Sequence, residues 1–168
     1  GHNYKIEVNH GGKSYSAASV MRQASTILNL DFQWIKMPYD HVAVLQISFV
    51  DTTPDEDCFW IRIYKNGDPY KWLLSDDRGD QNGVILETTM TSRMNLDEED
   101  EKSMLKDGDL VEVAIAPISR NMYDYLNAIQ SDSNGPRMFS GDFCLGYYYA
   151  GAESRSSIIF RPSEMSFF

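Results

Sequence analysis

Cysteine is scarce in this 168-residue chain, with only Cys58 and Cys144 present. Two thiols are too few for a disulfide framework or a four-thiolate zinc site. Each sits among aromatic and aliphatic neighbours, Phe59-Trp60 in one case, Phe143 and Leu145 in the other. Burial as thiols is therefore favoured over a bond between them, although an oxidising compartment would favour the bond. Long apolar runs are missing too, and none approaches the ~20 residues a membrane helix needs. No signal peptide is visible, but the chain opens abruptly at Gly1-His2-Asn3-Tyr4, so that absence carries little weight. Positive charge is also short: 15 Lys and Arg stand against 25 Asp and Glu, a formal net charge of -10. Such a field repels phosphate backbones and anionic lipid, so no nucleic-acid partner is expected.

Catalytic signatures are equally thin. The histidines are His2, His10 and His41, and none neighbours a Gly-x-Ser-x-Gly elbow or a reactive-cysteine context. His-Glu-x-x-His and Cys-x-x-Cys are absent, as are the glycine-rich phosphate cradles of nucleotide sites, so no cofactor is expected. The loop 76–83 places Asp76, Asp77, Asp80 and Asn82 within seven residues, enough hard oxygen to consider calcium. Arg78 stands where a ligand oxygen would be wanted and no Glu falls at the twelfth position, so a solvated turn is the favoured reading. The Arg-Gly-Asp tripeptide inside it is too short to carry weight. Paired carboxylates could hydrolyse glycosides, but acids are so numerous here that pairs arise in any fold. Many fall in loops or in the acidic run 97–101, where water keeps their chemistry ordinary.

What the sequence does contain is period-two alternation. Tyr4, Ile6 and Val8 alternate with Lys5, Glu7 and Asn9, and Gly11-Gly12 supplies the positive φ of a tight hairpin, so residues 3–20 read as two paired strands. Residues 28–35 form a looser strand. His41 to Val50 is the strongest, with Ala43, Leu45, Ile47 and Phe49 on one face. Phe59, Ile61 and Ile63 face one way in the next strand, Trp60, Arg62 and Tyr64 the other. Asn66-Gly67-Asp68-Pro69 then turns the chain into a return strand from Tyr70 to Leu74. Further strands are expected over 84–94 and 110–115, the second ended by Pro117, with closing strands at 143–149 and 157–161. Between them Ser119 caps a helix whose Met122, Tyr125, Leu126 and Ile129 share one face, stopped by Asn134-Gly135-Pro136. Short strands separated by turns every 8–12 residues indicate a single mainly β domain over 1–168. The expected architecture is an antiparallel β-sandwich or barrel-like sheet with one late amphipathic α-helix.

One cluster stands out as a candidate site. Trp60, Tyr64, Tyr70 and Trp72 fall on neighbouring strands; facing outward they would form a stacking platform for a sugar or peptide, and facing a second layer they would be core, which is favoured.

Several stretches taken in order resemble the Bacteroidetes envelope family catalogued as domain-of-unknown-function family 4249. They are Gly1 to Val8, Gly12-Lys13-Ser14-Tyr15-Ser16-Ala17, Phe49-Val50-Asp51 with Phe59 to Ile63, and Ser75-Asp76-Asp77 with Gly83. Lys106 to Val113, Ile118-Ser119, Tyr123 to Leu126, Gly141 and Leu145 to Ala150 complete the series. The resemblance spans nearly the whole chain. It implies a lipid-anchored precursor at the outer membrane or periplasmic face, with an N-terminal β domain behind a lipoprotein signal lying outside the present chain. It further implies an accessory role in nutrient uptake beside a TonB-dependent receptor or another envelope protein, and no enzyme activity. It brings no binding residues. Three readings follow: a non-catalytic surface module binding a glycan or peptide, a carboxylate-dependent glycoside hydrolase, and a structural partner of a membrane transporter.

Overall fold

The alternation in the central strands separates two faces cleanly. In the computed structural model, which describes residues 1–51, 58–76, 83–95 and 103–167, strand β4 (His41–Val50) buries Ala43, Leu45, Ile47 and Phe49 completely. Its neighbours are β3 (Thr26–Lys36) and β7 (Val84–Arg93), and the two-residue β11 (Ser166–Phe167) adds to β3 in parallel, giving the order β11-β3-β4-β7. A second sheet has the order β10-β8-β5-β6, from β5 (Cys58–Lys65), β6 (Asp68–Asp76), β8 (Leu110–Ile118) and β10 (Ser154–Ile159).

The inner faces of these sheets meet. Phe32, Trp34, Leu45, Ile47 and Phe49 pack against Phe59, Ile61, Ile63, Val111, Val113 and Ile115, with Phe160 and Leu105 closing the end. Edge-to-face contacts between Phe49 and Phe59 and between Phe32 and Phe160, both at 5.0 Å between ring centres, lock the layers together. This is the expected sandwich, and its sheets remain open.

A third layer lies on the outer face of the second sheet. Helix α1 (Arg120–Gln130) begins at Ser119, whose hydroxyl accepts the Met122 N–H at 3.2 Å, as the capping pattern requires. Met122 and Leu126 pack on Cys58 and Ile118, the outward-facing residues of β5 and β8. The buried stripe differs from the expected one in its last turn: Ala128 is buried and Ile129 is exposed. The chain folds back tightly after the helix, and a Cβ at Gly135 would sit 3.0 Å from that of Ala128, so only a small residue fits there. The helix also stops before Asn134-Gly135-Pro136, at Ser131, with Asp132 in the left-handed region at φ 49°.

A third sheet, β1 (His2–His10), β2 (Lys13–Met21) and the two-residue β9 (Ser140–Gly141), forms an arm beside the sandwich. Gly11 and Gly12, at φ 58° and 74°, make the two-residue turn that matches strand twist.

Three strand expectations need correction. Pro117 does not end β8, which continues to Ile118. β10 pairs β8 only as far as Ile115, and the Pro117 carbonyl instead accepts the Tyr149 hydroxyl at 3.3 Å, so the missing N–H falls on an unpaired side. Asp68 and Pro69 belong to β6 rather than to the turn, and Pro69 is tolerated because β6 is an edge strand with a register shift there. Residues 143–149 form no strand; this irregular stretch carries Tyr147 and Tyr149 onto the Trp60 ring.

Candidate functional site

The outer face of β5 and β6 is built by the same alternation that makes the core. With Phe59, Ile61 and Ile63 turned inward, Trp60, Arg62 and Tyr64 must turn outward, and register pairs Trp72 with Arg62 across the strands. A register shift between Ile63 and Tyr64 changes the parity of β6 near its start. Tyr70 consequently leans toward the sandwich core, yet still borders the outer face.

All four aromatic residues of the candidate cluster line one depression of about 250 Å³, together with Arg62 and Lys71. Each is half-buried. Platform and core were posed as alternatives; the rings combine the two. Trp60 is held edge-on by Trp72 at 6.4 Å, Tyr147 at 6.0 Å and Tyr149 at 6.4 Å, and the Arg62 guanidinium lies 4.6 Å from its ring centre. Arg62 is anchored by Glu153, which also binds Arg155, and Arg155 reaches Glu112 and covers Tyr64 at 5.5 Å. The rings are thus fixed by packing and by cations rather than swinging in water.

The floor is equally set. The Tyr70 hydroxyl donates to the Thr91 carbonyl at 3.0 Å, and burial, helped by the Asp109 charge, pushes its pKa up to about 12. Lys71 donates to the Met90 carbonyl at 2.6 Å and lies 5.1 Å from the Tyr70 ring centre, and burial pulls its pKa down. Tyr149 is likewise raised to about 12, chiefly by burial, with Arg62 opposing and Glu153 adding. Asp109 moves the other way. Burial pushes it up, but hydrogen bonds from the Lys106 N–H, Asn66 and Lys65, and the Lys65 charge, outweigh that and hold its carboxyl below its usual value.

The chemistry of the depression is donor-rich. Among the described residues no carboxylate lines it, whereas Arg62, Lys71 and Trp72 carry N–H donors. The indole nitrogen of Trp60 and the Nε of Arg62 are buried with no hydrogen-bond partner among the described residues. Sequence reasoning located the four rings but missed Arg62 and Lys71, and it missed the brace from Tyr147 and Tyr149. Arg62 was legible as the outward neighbour of Trp60; the brace was not, because its segment reads as a strand.

Other concave regions carry few acids. A depression of about 650 Å³ at the sandwich end, walled by Trp34, Phe160 and Phe167, has one carboxylate among the described residues, Asp107. Another of about 550 Å³ beside the end of α1 likewise has one among them, Asp132. It is rimmed by Phe143 and Leu145, 73% and 81% exposed.

Of the calcium candidates, Asp76 ends β6 and lies 3.6 Å from Arg120, a cation where a metal would want oxygen. Asp77, Asp80 and Asn82 lie outside the described residues, as does the acidic run 97–101. Among the described residues no group of three or more His, Cys, Asp or Glu is placed to hold a metal ion. Cys58 is buried beneath α1, Cys144 is half-buried, and the two are not bonded to each other. No helix among the described residues is long and apolar enough to cross a membrane.

Neither a family model, nor a curated protein, nor a solved structure matches the chain.

Proposed function

We propose that the chain is a non-catalytic binding module that takes one ring of a glycan in the depression over β5 and β6. The observation that carries this reading is the convergence of Trp60, Tyr64, Tyr70 and Trp72 on one donor-rich hollow. Aromatic faces stack on the C–H faces of sugars, while Arg62 and Lys71 supply donors for hydroxyl or carboxylate oxygens. The volume suits a single ring, and among the described residues the wall has no acid that would repel an acidic sugar. A peptide is less favoured. The edge of β6 that an added strand would use is crossed by its own side-chain bonds to the neighbouring β7, Ser75 to Glu87, Tyr70 to Thr91 and Lys71 to Met90. Hydrolysis is disfavoured because it needs two converging carboxylates, and among the described residues this wall has none.

The resemblance to the envelope lipoproteins extends the proposal. With it, the reading is of a module at the outer membrane or in the periplasm, on a lipid-anchored precursor, where glycan capture would serve uptake through a TonB-dependent receptor. A second reading, a structural partner of such a transporter, is favoured by the exposed Phe143, Leu145 and Ile129 around the end of α1.

A panel of neutral and acidic oligosaccharides, screened by calorimetry or by NMR chemical shifts, tests the primary reading. Binding that is lost in Tyr64→Ala and Trp72→Ala, with the far-ultraviolet dichroism unchanged, is the expected result. No binding across the panel, or binding indifferent to both substitutions, overturns it.

A further inference from the structure

The arm carries an unused edge. Among the described residues, strand β1 is hydrogen-bonded on one side only, to β2, in the order β1-β2-β9. Its pairing fixes which residues point where. In a two-residue hairpin the closing pair, here His10 and Lys13, exchanges both backbone bonds, so His10, Val8, Ile6, Tyr4 and His2 direct theirs at β2. The backbone groups of Asn3, Lys5, Glu7 and Asn9 therefore face outward. Such an edge is a template for another strand.

The sequence of β1 reads His-Asn-Tyr-Lys-Ile-Glu-Val-Asn-His and is close to symmetric about Ile6. We infer that β1 pairs with β1 of a second copy of this chain, antiparallel and centred on Ile6, to continue the sheet through a two-fold axis. This inference is independent of the glycan reading, which concerns another face.

In that register Lys5 of each copy stands opposite Glu7 of the other, and Asn3 opposite Asn9. These are the four outward-facing residues, so each pair closes with two backbone hydrogen bonds. On one face the charges form an alternating square, because Lys5 already reaches Glu7 of its own strand at 2.6 Å. On the other face Tyr4 meets Val8 and Ile6 meets Ile6, the aromatic and β-branched partners that cross-strand pairs favour. Tyr4 and Val8 are 39% and 41% exposed in the single chain, so this face has apolar surface to cover.

Other registers are penalised. Sliding by two residues sets Lys5 against Lys5 or Glu7 against Glu7, and parallel pairing brings both like pairs together. A slip by one turns the apolar face over. A lone charge would merely blunt the edge; a Lys–Glu couple placed evenly about Ile6 admits one arrangement. The contact is short, one strand of ~30 Å, so the dimer is weak, with a dissociation constant on the order of micromolar or higher.

Sedimentation velocity over a concentration series tests this with four chains. The unaltered chain is expected to shift from monomer to dimer as concentration rises. Lys5→Glu or Glu7→Lys alone should weaken the dimer by about tenfold or more, because each copy then opposes like charges twice. The double variant Lys5→Glu/Glu7→Lys should dimerise again. An equimolar mixture of the two single variants should form a heterodimer, since each offers the charges the other lacks. All four keep the outward positions polar, and unchanged melting temperatures confirm that the arm stays folded. A chain that remains monomeric throughout the series overturns the inference. So does a dimer that is indifferent to Lys5→Glu, which would point to another surface such as that around Phe143 and Leu145.

Discussion

Strands β1 and β4 carry the same signal in the sequence and end in opposite surroundings. Tyr4, Ile6 and Val8 alternate with polar residues much as Leu45, Ile47 and Phe49 do. In β4 that face is sealed by the second sheet and nothing of it reaches water. In β1 only Ile6 is even half-buried, because among the described residues no layer seals that strand as the second sheet seals β4. Period-two alternation thus reports which residues share a face. Whether anything covers that face depends on partners distant in sequence or on a different molecule.

Substitutions along the two strands should separate them sharply. The largest effect is expected in the core, where Ile47→Ala or Phe59→Ala leaves a cavity between the sheets and costs about 2–5 kcal/mol, read from urea or guanidinium midpoints. A smaller, pH-dependent loss belongs to Tyr70 and Tyr149. Both are held neutral to about 12 when folded, against an ordinary value of 10.0, so the unfolded chain loses its protons first. Their contribution is complete below pH ~10 and disappears as pH rises toward ~12, and denaturant midpoints across that range should fall. Tyr70→Phe should flatten part of that fall. Next comes the cap of α1: Ser119→Ala removes the acceptor for the Met122 N–H and should cost about 1 kcal/mol in the same titration. The smallest effect is expected in the arm, where Ile6→Ala should change the stability of the isolated chain by about 0.5 kcal/mol or less. A core-sized loss from Ile6→Ala would mean that the arm is sealed after all and would break the comparison.

Much of the sandwich was legible. Both tight turns announced themselves, Gly11-Gly12 and Asn66-Gly67, because positive φ has few residue solutions; Asn66 itself sits at φ 53°. Ser119 was legible because a helix start needs a side-chain acceptor. The stretch from Phe143 to Tyr149 was misread because alternating bulky residues look like a strand even when their backbone pairs with nothing. Ile129 was misread for a related reason: helical spacing gives a stripe but not where its cover ends. In the aromatic cluster, alternation sent Trp60 and Tyr64 outward with Arg62 between them. Tyr70 is turned partly toward the core by the register shift between Ile63 and Tyr64, which leaves no mark in the sequence.

Local chemistry by itself determined the strands, their inner and outer faces, the turns and the helix cap, since each depends on residues within a few positions of one another. The tertiary structure alone decided which faces meet, how Tyr147 and Tyr149 brace Trp60 from more than eighty residues away, and that β1 is left with an open edge. Those outcomes depend on contacts between segments far apart in the chain, and such contacts are selected by how all the layers pack together rather than by any short stretch.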